Sequence, residues 1–568
     1  MTLRYAIRPA HPGAHLFHVT VTVDDPDPAG QRFLMPAWSP GSYMIREFAR
    51  HVVRLTALAA DRKVRVDKLD KHTWRCAPVP GPLTVAYEVY AWDLSVRAAH
   101  LDETHGFFNG PCVFLLPLGR EHERCEVDIL PPAGRKYAGW KVATGLAPAR
   151  GSRRGGFGTY VARNYDELID CPVEMGSFIH ATFDVLGTPH DIAITGRVPQ
   201  LDIKRLIADL ARVCETQIRL FEPRTKKAPF ARYAFLTHAL GEGHGGLEHR
   251  NSTALICRRD GLPHKGLKDS TEGYRTFLGL ASHEYFHSWN VKRIRPAAFV
   301  PYDLTQENYT RLLWMFEGFT SYYDDLLLAR AGLLTDKQYL DTLAQTMTTV
   351  TQRSGRLKQS LADSSFDAWI KYYRQDDNAP NSVVSYYQKG SLVALALDLT
   401  IRTASRGRKS LDDVMRLLWT RWRNSPEVYP GVEEDEIIEA AETATDLKLA
   451  RAIREWTDGT RDPDFAALLA PFGVACERRP ALDQPHFALL GITTNGRTEC
   501  RVTNVFDGSA AQDAGLAGGD VLVALDGLRI SPANLDRLLT RYQPGDLVEL
   551  LAFRRDELMR FDLRLAAQ

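Results

Sequence analysis

The residues most able to do chemistry stand together at positions 282–290, which contain a His-Glu-x-x-His pattern. If this segment is helical, His283 and His287 are one turn apart on one face, close enough to bind one metal ion. Glu284 lies at the edge of that face and can accept a proton from a metal-activated water. A polar turn with two hydrogen-bonded histidines is the alternative, because the pattern can also arise by chance.

A third ligand is needed, since a catalytic zinc normally has three protein ligands and one open position. Glu317 is the best candidate, because it is a carboxylate inside the apolar and aromatic segment 313–323. A buried unpaired carboxylate is costly, so Glu317 requires a strong partner, either a metal or a buried arginine. Asp324 and Asp325 follow it, where we expect a solvent-exposed helix end.

Hydrophobic spacing predicts the helices that carry these residues. One is expected to begin at Asp269, with Glu272 completing a capping box, and to run into the His-Glu-x-x-His segment. A second is expected from about Thr305 to Leu328, with Glu317 inside it. Further helices are expected over residues 203–221, 335–361, 385–424 and 433–457.

The chain is predicted to be a multidomain α+β protein with three parts. Residues 1–168 contain short alternating segments such as 17–23, which predicts an N-terminal β-sandwich-like domain. Residues 169–475 are predicted to form a mainly helical domain that contains the candidate metal site. Residues 480–568 have short strands with glycine turns and are expected to form a small separate domain.

Composition excludes several classes of partner. Lys and Arg number 71 against 70 Asp and Glu, so the net charge of +1 gives no argument for nucleic acid or an anionic membrane surface. No apolar run approaches twenty residues, so no membrane span is expected. The eight cysteines are scattered without a Cys-x-x-Cys, and residues 1–11 lack a signal-peptide core. The cysteines are therefore expected to be free thiols, and the protein is expected to be cytoplasmic.

The motifs together resemble the glycyl aminopeptidase family of gluzincin zinc metallopeptidases with a C-terminal PDZ domain. The resemblance covers nearly the whole chain, and it rests on His283-Glu284-x-x-His287, Trp314-x-x-Glu317-Gly318 and residues 38–48, 287–293 and 365–373. It implies a thermolysin-like catalytic domain with one zinc ion bound by His283, His287 and Glu317. The 29 residues between His287 and Glu317 are more than in alanyl-aminopeptidase-type members.

Two further segments gain roles from this resemblance. Gly245, Gly246, Leu247 and Glu248 resemble the substrate-binding strand of related aminopeptidases, where Glu248 would hold the free α-ammonium group of the substrate. A glycine-rich hairpin with a solvated glutamate is the alternative. Tyr387 matches the tyrosine of a Tyr-x-Lys-Gly motif, which implies that it donates a hydrogen bond to the reaction's oxyanion. A tyrosine that only packs at a helix start is the alternative.

The implied function is a zinc aminopeptidase that hydrolyses N-terminal residues from peptides with free N-termini, preferring Gly or Ala, with Glu284 as general base. Residues 508–522 and the following Asp526-Gly527 resemble a PDZ domain, with residues 490–492 as the loop that could bind a C-terminal peptide. That domain could instead only pack on the catalytic domain. Two other functions stay open: a PDZ-assisted zinc endopeptidase and a non-catalytic peptide-binding adaptor.

Overall fold

The computed structural model describes residues 2–481 and 483–566. Within these ranges, none of the helices combines the length and the apolar character that crossing a bilayer requires. The chain forms two compact units. The first consists of Met1–Tyr309, Thr320–Leu340 and Asp412–Ala440, and the second of Thr310–Phe319, Asp341–Leu411 and Ala441–Gln568.

The N-terminal part of the first unit is β-rich, as predicted, and contains three sheets around a common apolar core. In spatial order, the largest sheet contains Ala147–Pro148, Gly158–Ala162, Arg124–Ile129, Thr2–His11, Leu16–Val23, Leu83–Tyr90, Val52–Ala59 and Arg62–Val64. The two smaller sheets contain Lys141–Thr144, Val173–Gly176, His105–Phe108 and Ala99–Leu101, and Leu116–Pro117, Arg32–Leu34, Thr73–Cys76 and Val66–Lys68. Strict alternation of burial along Leu16–Val23 shows why this segment forms a strand with one face in the core.

A five-stranded mixed sheet follows in the chain. The prediction of a mainly helical domain over residues 169–475 did not include this sheet. Its spatial order is Ile179–Val185, Thr188–Thr195, Tyr233–Leu240, Ser252–Arg258 and Gly245–Glu248. The last of these, Gly245–Glu248, pairs antiparallel with its neighbour and is called the edge strand below. The helix Ile203–Phe221, which matches the prediction, packs on the sheet through its apolar stripe.

The helix Glu272–Phe286, called the motif helix below, carries most of the His-Glu-x-x-His pattern. The predicted start at Asp269 is wrong, because the N-cap is Thr271, whose side chain accepts a hydrogen bond from the backbone N–H of Tyr274. A threonine hydroxyl satisfies one of the free N–H groups of the first turn, so the helix begins after it.

The helix Leu313–Arg330, called the Glu317 helix below, begins later than the predicted Thr305. Local hydrogen bonds explain the difference. The Asn308 side chain accepts from the backbone N–H of Asp303 and donates to the carbonyls of Asp303 and Gln306. Such side-chain bonds hold the backbone in a turn and compete with the helix.

The other long predicted helices are interrupted. The expected helix over 385–424 is divided where Arg406 and Gly407 adopt positive φ values of 53° and 75°, and that over 433–457 is divided near Asp446 at φ 59°. The expected helix over 335–361 ends at Thr351. Apart from the three helices above and those of the C-terminal part, the α-helices of the described residues are Tyr165–Ile169, Asp336–Thr351, Leu361–Phe366, Ala379–Ser382, Gln388–Ser405, Leu411–Asn424, Glu436–Thr445, Ala450–Thr457 and Phe465–Leu469.

The C-terminal part of the second unit is a small sheet with two short helices and its own apolar core. Its main strands are, in spatial order, Ile492–Asn495, Cys500–Val505, Val521–Leu525, Leu547–Arg554 and Glu557–Arg564, and Leu528–Arg529 pairs with Val521–Leu525. The helices are Ala510–Asp513 and Leu535–Leu539. The predicted strand-and-turn character of this region is therefore confirmed.

Candidate metal centre and active site

The two histidines of the motif point their outer ring nitrogens at one another. His287 follows the last residue of the motif helix, but its backbone is still right-handed helical, so the one-turn spacing from His283 is kept. Nδ1 of His287 donates to the carbonyl of Asn290 at 2.8 Å, and Nδ1 of His283 donates to Asp324 at 3.0 Å. Because Nδ1 carries the proton in both rings, both Nε2 lone pairs face the same space.

This donor arrangement fits a zinc ion. The two Nε2 atoms are 3.1 Å apart, a distance at which two lone pairs repel unless a cation or proton lies between them. Zinc with Zn–N bonds of about 2.0–2.1 Å in tetrahedral geometry holds two such nitrogens about 3.3 Å apart. Glu317 is buried, and the candidate ligand atoms of His283, His287 and Glu317 all lie within 4.8 Å of one another.

Asp324 supports the metal site, although the sequence suggested only a solvated helix end. Its side chain is 16 % exposed, and it accepts the hydrogen bond from His283. Asp324 follows Glu317 by two helical turns, so both carboxylates lie on one face of the Glu317 helix. A carboxylate that accepts from the far nitrogen of a ligand histidine fixes its tautomer and orientation. The seven-residue spacing from Glu317 was the available signal for this role.

Glu284 lies directly over the edge strand. It is 5 % exposed, and a Cβ at Gly246 would lie 2.0 Å from its Oε1 atom. Only a glycine at this position allows the carboxylate to reach so close to the backbone. Carboxylate oxygens of Glu284 and Glu248 and a ring nitrogen of His287 all lie within 4.8 Å of one another. A proton acceptor and a second anionic group therefore stand beside the candidate ligand His287.

Glu248 is a buried carboxylate with one oxygen that lacks a hydrogen-bond partner among the described residues. The residue is 4 % exposed, and the oxygen without a partner is Oε1. Burial of an unpaired carboxylate oxygen is unfavourable, so the site favours a positively charged ligand. Side chains alternate along the edge strand, so Gly246 and Glu248 share one face, while Leu247 is buried in an apolar cluster on the other. At Gly245, the remaining residue of the strand, a Cβ would meet an Arg97 side-chain nitrogen at an ordinary contact distance of 3.8 Å.

A segment of the N-terminal part covers Glu248 from the other side. A Cβ at Gly41 would lie 2.5 Å from Glu248 Oε1, and Gly41 has a φ of 95°, which favours glycine. The flanking residues Trp38 and Tyr43 are fully buried, so the segment is held firmly. Sequence reasoning used this segment only as a family marker and missed its contact with Glu248.

A buried ionic cluster connects the end of the motif to the end of the edge strand. Lys292 donates to Asp170 at 2.6 Å, while its backbone N–H donates to the carbonyl of His287. Asp170 also accepts from His249 Nδ1 at 3.3 Å and from the backbone N–H of Arg250 at 3.1 Å. Burial alone would raise the pKa of Asp170, but Lys292 and Arg250 hold that pKa well below its usual range. One ionised carboxylate thus positions both segments.

Tyr387 lies in the second unit, immediately before the helix Gln388–Ser405. Its ring is partly exposed and stacks on Tyr386, and its hydroxyl lies 3.4 Å from that of Tyr373. Tyr386 is fully buried, so Tyr387 is the tyrosine of this pair that can reach a ligand.

A close helix crossing sets Tyr387 relative to the Glu317 helix. A Cβ at Gly318 would lie 2.6 Å from the backbone of Gly390, and one at Gly390 would lie 2.8 Å from the carbonyl of Trp314. Two glycines therefore let the backbones touch. The crossing places the start of one helix, with Tyr387, next to the turn that carries Glu317.

Comparisons with known proteins show the family of the chain. Residues 4–177 match the Peptidase M61 N-terminal domain, and residues 276–393 match the M61 glycyl aminopeptidase model. An aminopeptidase N family protein from Idiomarina loihiensis is 39 % identical with a TM-score of 0.95, and the alignment covers 100 % of this chain and 96 % of that one. The chain belongs to the M61 glycyl aminopeptidase family.

More distant similarity concerns the fold alone. An M1 zinc metallopeptidase from Deinococcus radiodurans is 13 % identical with a TM-score of 0.51, and the alignment covers 82 % of this chain and 94 % of that one. None of the curated proteins matches the chain. Membership of the M61 family makes this protein a zinc metallopeptidase of the aminopeptidase class, which confirms the enzyme class predicted from the sequence.

Proposed function

We propose that this aminopeptidase removes single N-terminal residues, preferentially Gly or Ala, from peptides with a free N-terminus. The observation that carries the proposal is the grouping of Glu248, Glu284 and His287 within 4.8 Å. This grouping supports roles for Glu284 as proton acceptor and Glu248 as anionic anchor beside one candidate metal ligand. The proposed ligands of a single zinc ion are His283, His287 and Glu317.

Zinc in this site would supply a Lewis acid, which favours deprotonation of water at neutral pH and polarises a peptide carbonyl. Glu284 accepts the proton of the attacking water and delivers it to the leaving amine. Its position against Gly246 holds the carboxylate at a fixed height above the edge strand. Tyr387 donates a hydrogen bond from its hydroxyl group to the oxyanion that forms as the carbonyl is attacked.

Glu248 restricts the reaction to chain ends. Its buried carboxylate pairs with the substrate's α-ammonium group, while the backbone of the edge strand pairs with the substrate chain. An internal peptide segment has an uncharged amide where this ammonium would be, so it leaves Glu248 unpaired. Gly41 closes the space around Glu248 from the N-terminal side, which supports a preference for small first residues.

The C-terminal part is proposed to be a PDZ domain within residues 480–568, following an N-terminal domain at 1–168 and a catalytic domain at 169–475. Gly491, at φ 70°, leads into the strand Ile492–Asn495 at the end of its sheet. That is the position expected for a loop whose N–H groups bind a terminal carboxylate. Its ligand would be the C-terminus of a peptide.

Mass spectrometry of peptide products tests the proposal. The enzyme is incubated with a hexapeptide that begins Gly-Ala and with its N-acetylated form. The expected products are free glycine, then free alanine, and the shortened peptides, with the acetylated peptide intact. Internal fragments, or equal cleavage of both peptides, would instead indicate an endopeptidase.

A further inference from the structure

A second group of potential metal ligands lies in the first unit, away from the motif helix. His100, Asp102 and His105 belong to the hairpin formed by the strands Ala99–Leu101 and His105–Phe108. One candidate ligand atom from each lies within 4.8 Å of the others. Both histidines are at least nine-tenths buried, with 5 % and 3 % exposure.

The loop of the hairpin holds Asp102 in one orientation. Its Oδ1 atom accepts from the backbone N–H and the hydroxyl of Thr104, both at 2.6 Å, and from the backbone N–H of His105 at 3.0 Å. These bonds occupy Oδ1, so the other oxygen, Oδ2, is directed at Nε2 of His100, 3.5 Å away. A zinc ion holds two such ligand atoms about 3.3 Å apart.

His105 has the support typical of a ligand histidine. Its Nδ1 atom lies 3.1 Å from Oε1 of Glu174, which also accepts from the hydroxyl of Thr195 at 2.8 Å. A carboxylate that accepts from Nδ1 leaves the Nε2 lone pair of His105 available. The same carboxylate–histidine pairing supports His283 through Asp324, and it is a recurrent feature of metal sites.

His100 is buried without full hydrogen bonding. Its Nδ1 atom has no partner among the described residues, and its contact with Asp102 is long. The ring is held between Trp92, with centroids 4.8 Å apart, and His105, at 4.9 Å. Buried polar groups without hydrogen-bond partners are rare in native proteins, so the burial of the His100 imidazole in this fixed position points to an additional ligand.

We propose that His100, Asp102 and His105 bind a second divalent transition-metal ion, distinct from the catalytic one. Two imidazoles and a carboxylate suit zinc and related ions rather than calcium or magnesium. His105 also contacts His238 of the central strand Tyr233–Leu240, with ring centroids 4.6 Å apart. The ion would therefore rigidify the hairpin, whose His105 packs on the five-stranded sheet that carries the edge strand, and its role would be structural.

Metal content of the full-length protein tests the proposal. The protein is loaded with excess Zn²⁺, freed of loosely bound metal on a desalting column and analysed by mass spectrometry. The expected stoichiometry is two ions per chain in the wild type, one in His100→Gln and one in His283→Ala/His287→Ala. A wild type with one ion per chain, or a His100→Gln variant that keeps two, would overturn the proposal.

Cobalt provides a second readout that does not depend on activity. In the His283→Ala/His287→Ala background, Co²⁺ should still give visible absorption bands, and adding Asp102→Asn should abolish them. His100→Gln and Asp102→Asn leave the Glu174–His105 pair intact, so folding should be preserved. Preserved folding is checked by the peptidase activity of His100→Gln at saturating zinc, which should equal that of the wild type. Bands that persist after Asp102→Asn is added would contradict the assignment.

Discussion

The carboxylate of Glu284 lies directly over the α-carbon of Gly246, so close that a Cβ there would stand 2.0 Å from Oε1. The contact joins the motif helix to the edge strand and sets the distance between the proposed general base and the backbone that would bind the substrate. Glu284 therefore has no space to move closer to the edge strand, and a side chain at position 246 would displace its carboxylate.

Gly246→Ala should therefore lower kcat/KM strongly, by about 100-fold, since a displacement of about 1 Å at a catalytic group has effects of this size. Gly245→Ala is the matched control, because the nearest atom to a Cβ there is an Arg97 nitrogen at 3.8 Å. Steady-state rates on alanyl-anilide measure both. Equal losses in the two variants would mean that the Glu284 contact is unimportant.

Glu284→Gln should keep zinc and lose turnover. The amide has nearly the same shape but cannot accept a proton, so kcat should fall by about 10²–10⁴-fold. Metal analysis alongside the rates is the control, with one catalytic ion expected in both proteins. Substantial activity in the variant would exclude Glu284 as the base.

Glu248→Gln should raise KM for substrates with a free N-terminus, because the α-ammonium group loses its anionic partner. Glu242→Gln, an exposed acidic residue in the same glycine-rich segment, should leave KM nearly unchanged. If the residual cleavage of N-acetylated peptides fell by the same factor in Glu248→Gln, the anchor role would be wrong.

Asp324→Asn should weaken zinc binding by about 10–100-fold, the usual effect of removing a carboxylate that orients a ligand histidine. Competition with a chromophoric chelator measures the affinity. The neighbouring Asp325→Asn is the control and should change it little, because no hydrogen bond joins the Asp325 side chain to either motif histidine in the described part of the chain. Equal affinities in wild type and Asp324→Asn would refute the role.

Asp170→Asn should destabilise the first unit by about 3–5 kcal/mol at pH 7, because Lys292 would lose its buried partner. The folded-state pKa of Asp170 is lowered, so its contribution is present above the unfolded pKa of about 3.9 and is lost as pH falls below it. Melting curves of both proteins should therefore approach each other below about pH 4. Asp166→Asn, at a side chain 47 % exposed, should have a much smaller effect.

The candidate metal ligands could be predicted from the sequence because the pattern that identifies each of them lies within a short segment of the chain. The spacing of His283 and His287 and the isolated carboxylate of Glu317 each depend on one helix. Gly41 could not be found in this way, because its contact with Glu248 joins segments more than 200 positions apart. Helix boundaries failed where side chains bond to the backbone, as Asn308 does.

The decisive measurement is the hydrolysis of glycyl-anilide and N-acetylglycyl-anilide by the zinc-loaded and the chelator-treated wild type. A zinc aminopeptidase should cleave the free-amine substrate alone, lose that activity after chelation and recover it when zinc is restored. Activity that survives removal of the metal, or cleavage of the acetylated substrate at a comparable rate, would contradict it.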